Sequence, residues 1–218
     1  MTLSALKPRA ELELDKFALD PYCKLYLPLW KLDGDKFADR SAYGHLCTNY
    51  GSIWTPQGRS FDGVDDYVDC GSGASLNPGT GEYTFEFRSK TNEITVNSVG
   101  ILDKGYSNNY LITKGNAVLR IFLASGSATL TIANYFTVGD WIHTTIVLSS
   151  GNIVTAYKNG VFAGTASYSG SLSNSTNLLI GIYDNYFTGL IAEVRIYNRA
   201  LTPQEILDHY IIGKEMFG

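Results

Sequence analysis

Residues 83–90 read YTFEFRSK, and the order of their side chains sets the fold class. Tyr83, Phe85 and Phe87 fall on one side of an extended chain, with Thr84, Glu86 and Arg88 on the other. A period of two marks a strand, whereas an amphipathic helix needs apolar residues three and four apart. Working outward, the same pattern recurs. KLYLPLW (24–30) sets Leu25, Leu27 and Leu29 on one face. AVLRIFLA (117–124) and ATLTIANYF (128–136) follow, separated by Ser125, Gly126 and Ser127. WIHTTIVLSS (141–150) precedes NIVTAYKNGVFAGTASY (152–168), where Asn159-Gly160 has the composition of a type I′ hairpin turn. NLLIGIY (177–183) and GLIAEVRIYN (189–198) complete the set. Short strands separated by turn signals about every ten residues indicate a sandwich or a barrel.

One segment has a helical period. In TPQEILDHYIIG (202–213), Thr202 is the N-cap, Pro203 occupies the first helical position, and Glu205 closes a capping box. Ile206, Leu207, Tyr210 and Ile211 are spaced to pack on a sheet edge, and Gly213 reads as the stop.

Composition agrees with an all-β chain. Glycine (22 residues) suits tight turns, and tyrosine (15) suits half-buried pleated surfaces. The net charge of −4 and the lack of a basic stripe argue against a nucleic-acid partner. Apolar runs are too short to span a membrane. Residues 1–22 hold several charges and end near Pro21, and they read as an arm or lead-in ahead of a domain covering 23–218. This start lacks the continuous apolar stretch of a signal peptide and carries acids early. The expectation is therefore synthesis in the cytoplasm, with any export by a route the sequence does not encode. The odd count of Cys23, Cys47 and Cys70 argues for buried free thiols over a disulfide framework.

These pieces, in order, resemble the laminin-G-like, concanavalin A-like jelly-roll domains. LPLWKLDG with FADRSAYGH resembles the opening strand and Asp-x-Ser loop of that family, and GRSFDGVDDYVDCG its Phe-Asp-Gly hairpin. YTFEFRSK is similar to its Phe-Thr-hydrophobic strand, ILDKG and WIHTTIVL to its central strands, YKNGVFAG to its hairpin with an Asn-Gly turn, and GLIAEVRIYNRALTPQEI to its closing strand and final helix. The resemblance covers residues 24–212 and implies two stacked antiparallel sheets with one short C-terminal helix. It also implies sugar or glycoprotein binding, often with calcium. The opening resembles proteins of phage and metagenomic origin, which would place the chain on a virion or other extracellular assembly. Capsid or other structural subunits would then be partners, reached through residues 1–22.

The resemblance places calcium at the Asp-x-Ser loop, here Asp39 and Ser41, with a further carboxylate from the closing strand. Ala192 stands where that carboxylate is expected, and Glu193 points to the opposite strand face. The run SFDGVDDYVDCG (60–71) offers Asp62, Asp65, Asp66 and Asp69. It reads first as two short strands about a Gly63 turn held by Asx bonds, and second as a metal or ligand contact. Catalysis has little support. Glu82 and Glu86 share a face without the intervening aspartate of related glycosidases, and His45, His143 and His209 are scattered. His143 reads as a structural residue beside a core tryptophan.

The binding signal lies in loops rich in tyrosine and amides: Tyr106, Asn108, Asn109; Tyr135; and Tyr183, Asp184, Asn185, Tyr186. A tyrosine ring covers the C–H face of a sugar, and amides or carboxylates satisfy its hydroxyls. The same residues also break strands, fill sandwich rims and make protein contacts. The expected function is a non-catalytic module for glycans or cell-surface glycoconjugates. A purely structural assembly subunit held by its N-terminal segment is the alternative, and a glycoside hydrolase or polysaccharide lyase a distant third.

Overall fold

The computed structural model describes residues 17, 20–32, 36–94, 98–105, 109–124 and 128–217. In chain order the strands begin with β1 (Cys23–Pro28), β2 (Lys36–Ala38), β3 (Leu46–Tyr50), β4 (Ile53–Thr55), β5 (Gly58–Asp62) and β6 (Tyr67–Asp69). They continue with β7 (Tyr83–Thr91), β8 (Val99–Asp103), β9 (Tyr110–Gly115), β10 (Val118–Leu123) and β11 (Ala128–Ile132). The last are β12 (Trp141–Ser149), β13 (Ile153–Lys158), β14 (Val161–Ser167), β15 (Leu179–Ile180) and β16 (Thr188–Tyr197). A 15-residue helix, α1 (Pro203–Phe217), ends the described chain.

The strands form two eight-stranded antiparallel sheets. The first runs β14-β13-β12-β7-β16-β5-β4. Here β16 is long enough to pair β5 with its first half and β1 with its second. The second runs β11-β10-β9-β8-β15-β6-β3-β2. Alternation makes the core between them: Leu25 and Leu27, Phe85 and Phe87, Ile146 and Leu148, and Val194 and Ile196 face Val68, Ile112, Leu119 and Ile121. The two-layer jelly-roll expected from the sequence is the fold observed. At the hairpin between β13 and β14, Asn159 and Gly160 take φ of 53° and 78°, as a type I′ turn requires. All three cysteines are free and buried.

Three details differ from expectation. First, the run 60–71 is not a hairpin. Its two strands belong to different sheets, β5 pairing β16 and β6 pairing β3 and β15, so the aspartate turn carries the chain across the sandwich. Its bonding is still that of a turn: Asp62 Oδ1 accepts from Val64 N–H at 2.8 Å, and Asp66 Oδ2 from Asp62 N–H at 2.8 Å. Second, α1 lies on the face of the first sheet, not its edge, and buries Ile206, His209, Gly213 and Phe217, while Ile211 is exposed. Third, Gly213 does not stop the helix. A methyl there would sit 2.4 Å from Arg88 Nη2, so glycine is needed for close approach to a guanidinium. The capping box is formed as read: Thr202 N–H donates to Glu205 Oε2 at 2.8 Å, and Glu205 N–H to Thr202 Oγ1 at 3.3 Å.

The segment read as an arm is partly described. Phe17 is buried against Tyr26 and His209, and Asp20 pairs with Arg199 at 2.9 Å, so both side chains are joined to the sandwich. Residues 1–16 lie outside the described residues.

Candidate functional site

Where the helix covers the first sheet, the polar side of β7 meets its neighbours in a buried charge cluster. Glu86, Arg88, His143, Glu193 and Arg195 are each at most 1% exposed. Glu86 Oε2 lies 2.9 Å from His209 Nδ1 and 3.3 Å from Arg195 Nε, and Glu86 Oε1 accepts from Thr145 Oγ1 at 3.1 Å. Arg195 Nη2 donates to Glu193 Oε1 at 3.3 Å, and Arg88 Nη2 to the Tyr210 carbonyl at 3.0 Å. Phe17 lies over the Arg195 guanidinium, 4.1 Å from carbon to ring centre. Burial pushes the Glu86 carboxyl up, but His209, Arg195 and His143 pull it well below the usual carboxylate range. Burial drives the His143 imidazole well below its ordinary value against the pull of Glu86. The scattered histidines thus converge in part, since two of the three contact one carboxylate. That carboxylate is sealed from solvent and neutralised by a guanidinium. It is suited neither to donate a proton to a substrate nor to hold a cation.

Calcium at the Asp39–Ser41 loop fails on geometry. Asp39 Oδ1 accepts from the N–H groups of Tyr26 and Ser41, both at 2.9 Å. Oδ2 accepts from Ser41 Oγ at 2.8 Å and from His45 N–H at 2.9 Å. Four donors occupy the roughly four lone-pair sites of a carboxylate. Ala192 is the bulged residue of β16 and adds no oxygen ligand from its side chain. Asp39 is a loop clamp, and these residues do not fit the ion. At the aspartate turn, Asp62, Asp65 and Asp66 hold carboxylate oxygens within 4.8 Å of one another. Burial raises the Asp66 carboxyl, with the Asp62 amide opposing.

The tyrosine and amide residues divide. Tyr106 and Asn108 lie outside the described residues. Asn109 is fully buried, its Nδ2 donating to Asn77 Oδ1 at 2.6 Å. Tyr135 is 1% exposed, its hydroxyl donating to the Tyr157 carbonyl at 2.7 Å. Burial closes both to any ligand, and they brace loops from within. Tyr183, Asn185 and Tyr186 are half-buried and Asp184 is exposed, in a turn closed by Tyr183 N–H to Asn185 O at 3.3 Å. This turn lies against β8. A methyl at Gly100 would be 2.2 Å from Ile182 O and 2.7 Å from Tyr183 Cβ, so only glycine admits it.

Beside that turn stands a pair the sequence reading missed. Val68 and Cys47 point into the core, so alternation turns Tyr67 and Tyr50 outward, and these two are direct cross-strand partners. Their rings stack at 4.4 Å and 9°, and Tyr50 is 43% exposed. Burial first, then Tyr50, Asp69 and Tyr186, raises the Tyr67 phenol, and β6 pairs with β15, the strand that leads into the Tyr183–Tyr186 turn. On the same outward row, Asp69 accepts from Asn177 Nδ2 at 2.9 Å. The available signal was the position of Tyr67 one residue before core Val68. The result is a flat aromatic surface edged by carboxylate and amide groups.

A family model described as "Concanavalin A-like lectin/glucanases superfamily", of laminin-G type, matches residues 62–207, well over half of the chain. The chain belongs to this superfamily. Solved structures similar to this superfamily member include the binding domain of botulinum neurotoxin DC in complex with rat synaptotagmin II. That match has a TM-score of 0.74 at 15% identity, covering 88% of this chain and 52% of that one. The botulinum neurotoxin serotype D ligand-binding domain in complex with N-acetylneuraminic acid matches at TM-score 0.73 and 14% identity, covering 88% and 51%. The binding domain of paraclostridial mosquitocidal protein 1 matches at TM-score 0.67 and 16% identity, covering 87% and 52%. The chain thus spans about half the length of these structures, and at such identity the likeness is one of fold. No curated protein sequence matches the chain.

Proposed function

We propose that this chain is a non-catalytic binding module that recognises glycans or glycoconjugates at a cell surface. Contact is made by the outward tyrosines Tyr50 and Tyr67 with the neighbouring turn of Tyr183, Asp184, Asn185 and Tyr186. The observation that carries this reading is the Tyr50–Tyr67 stack, a preformed aromatic platform on a sheet face with polar groups at its edge. Fold relatives solved as binding domains, one with N-acetylneuraminic acid, support a recognition role. The non-catalytic reading is supported by the Glu86 and Glu193 carboxylates, which lie beneath the helix at the guanidinium of Arg195. The chain is tested on a glycan array as wild type, Tyr67→Ala and Tyr186→Ala. Binding lost in both variants with folding retained supports the reading, and array binding unchanged in both ends it.

A second reading, a structural subunit of a virion or other assembly, is favoured by one feature. Edge strand β14 exposes Val161 and Phe162, at 66% and 59%. An exposed apolar edge is a template for pairing with another chain. Sedimentation of wild type against Phe162→Lys tests it, and a monomer in both discards it.

A further inference from the structure

At the other end of the β3–β6 pair, a cleft of roughly 500 Å³ opens beside Tyr43, just before β3 begins. It is separated from Tyr50 by the length of β3, about 13 Å at the usual rise. Lys24 lines it and is 8% exposed. Its ammonium donates to the Tyr43 hydroxyl and meets no carboxylate within ion-pair distance among the described residues. The ammonium also lies over the Tyr43 ring, 4.3 Å from its centre, and of its three donors the Tyr43 hydroxyl takes one. The surroundings are fixed. The Tyr43 ring lies parallel to His45, with 6.2 Å between centres and 6° between planes, and His45 Nε2 is 2.8 Å from Ser75 Oγ. The Tyr83 hydroxyl in turn donates to the Ser75 carbonyl. Tyr43 nonetheless leaves 46% of its surface exposed. Asn198 adds an exposed amide on the rim. Glu82 stands across from these groups, with Oε1 accepting from Ser150 N–H at 3.2 Å.

We propose that this cleft binds a hexuronate unit, a sugar ring bearing a carboxylate. The carboxylate meets the Lys24 ammonium, which itself covers one face of Tyr43, the C–H face of the sugar lies on the part of the Tyr43 ring that is exposed, and hydroxyls reach Asn198. A single cation without a fork of donors suits a monovalent carboxylate better than a phosphate. The exposed ring and amide ask for a ligand with both an apolar face and hydroxyl edges. Glu82 opposes the ligand charge and keeps the affinity low. The site is separate from the tyrosine platform and does not depend on it.

The full chain, isotope-labelled, is titrated with D-glucuronate, D-glucose and acetate at constant ionic strength and followed by NMR. The expected result is millimolar binding of glucuronate, with shifts centred on Lys24, Tyr43, Ser75 and Asn198. Glucose and acetate should each bind at least about tenfold more weakly. Lys24→Met should lose about tenfold for glucuronate and nothing for glucose. Glu82→Gln, at an exposed position, should strengthen glucuronate binding by about two- to fivefold, which decides the matter should Lys24→Met fail to fold. Tyr67→Ala should leave the titration unchanged, so failure here and failure of the platform are read separately. Equal binding of glucose and glucuronate, acetate binding as well as glucuronate, or no shifts at tens of millimolar overturns the proposal.

Discussion

Strands β7 and β6 each turn one row of side chains away from the common core, and the two rows meet opposite fates. On β7 the row holds Thr84, Glu86 and Arg88, and a helix and Phe17 close over it until no member is more than 1% exposed. On β6 and its partner β3 the row holds Tyr67 and Tyr50, and Tyr50 remains 43% exposed. The charged row, which favours water, is dry, and the aromatic row is wet. Burying charge stabilises only if each group finds its counter-charge, so the helix-covered side depends on pairing. A preformed aromatic stack left in water adds little to stability and is available for contact. The first side therefore serves the fold, and the second is the side proposed above to meet a ligand.

The largest expected effect lies on the covered side. Glu86→Ala leaves Arg195 and His209 without their shared partner, and stability should fall by about 3–5 kcal/mol in urea unfolding. A loss below about 1 kcal/mol would mean that the cluster is solvated and the contrast between the two faces is false. Gly213→Ala forces a methyl toward the Arg88 guanidinium and should cost about 1–3 kcal/mol, where an exposed helical glycine would gain from alanine. Acid sharpens the same contrast. His143 is held neutral in the fold by burial, so below about pH 6.5 the unfolded chain takes a proton that the folded one refuses. Stability should drop by up to about 1.4 kcal/mol per pH unit from this group as pH falls from 6.5, and His143→Gln should remove that slope. The depressed Glu86 carboxyl acts in the same direction only below the carboxylate range near pH 4.

On the open side, Tyr50→Ala should change stability by less than about 1 kcal/mol in the same titration. A larger loss would show the stack to be a structural element. The smallest effect is expected from chelation: with Asp39 fully hydrogen-bonded, EDTA and millimolar calcium should give thermal midpoints within about 1 °C of each other. A calcium-dependent rise of several degrees would restore a metal to this loop or to the aspartate turn.

Much of this division could be read from the chain, but only where the determining contacts are local. The alternation of residues 83–90, the Asn159-Gly160 turn and the Thr202–Glu205 cap are settled within a few residues, and all three formed as read. Gly213 was misread because glycine serves both helix ends and close approach, and Arg88, which decides between them, is 125 residues away. The turn at Asp62 needs the same residues whether it closes a hairpin or crosses between sheets. Its role depends on partners in β15 and β16. Asn109 and Tyr135 carry the same functional groups as ligand-binding residues, and only the partners they find inside, Asn77 and the Tyr157 carbonyl, distinguish them. The meeting of His143 and His209 at Glu86 likewise joins three distant positions that share no motif.

Phe17 and Phe217, near the two limits of the described chain, both contact the charge cluster on the helix side. A support that held the molecule by this helix side would therefore leave the Tyr50–Tyr67 side forward. If that side binds as proposed, weak single contacts in an array of such molecules would add by proximity, so that density on a support rather than the strength of one site would govern retention.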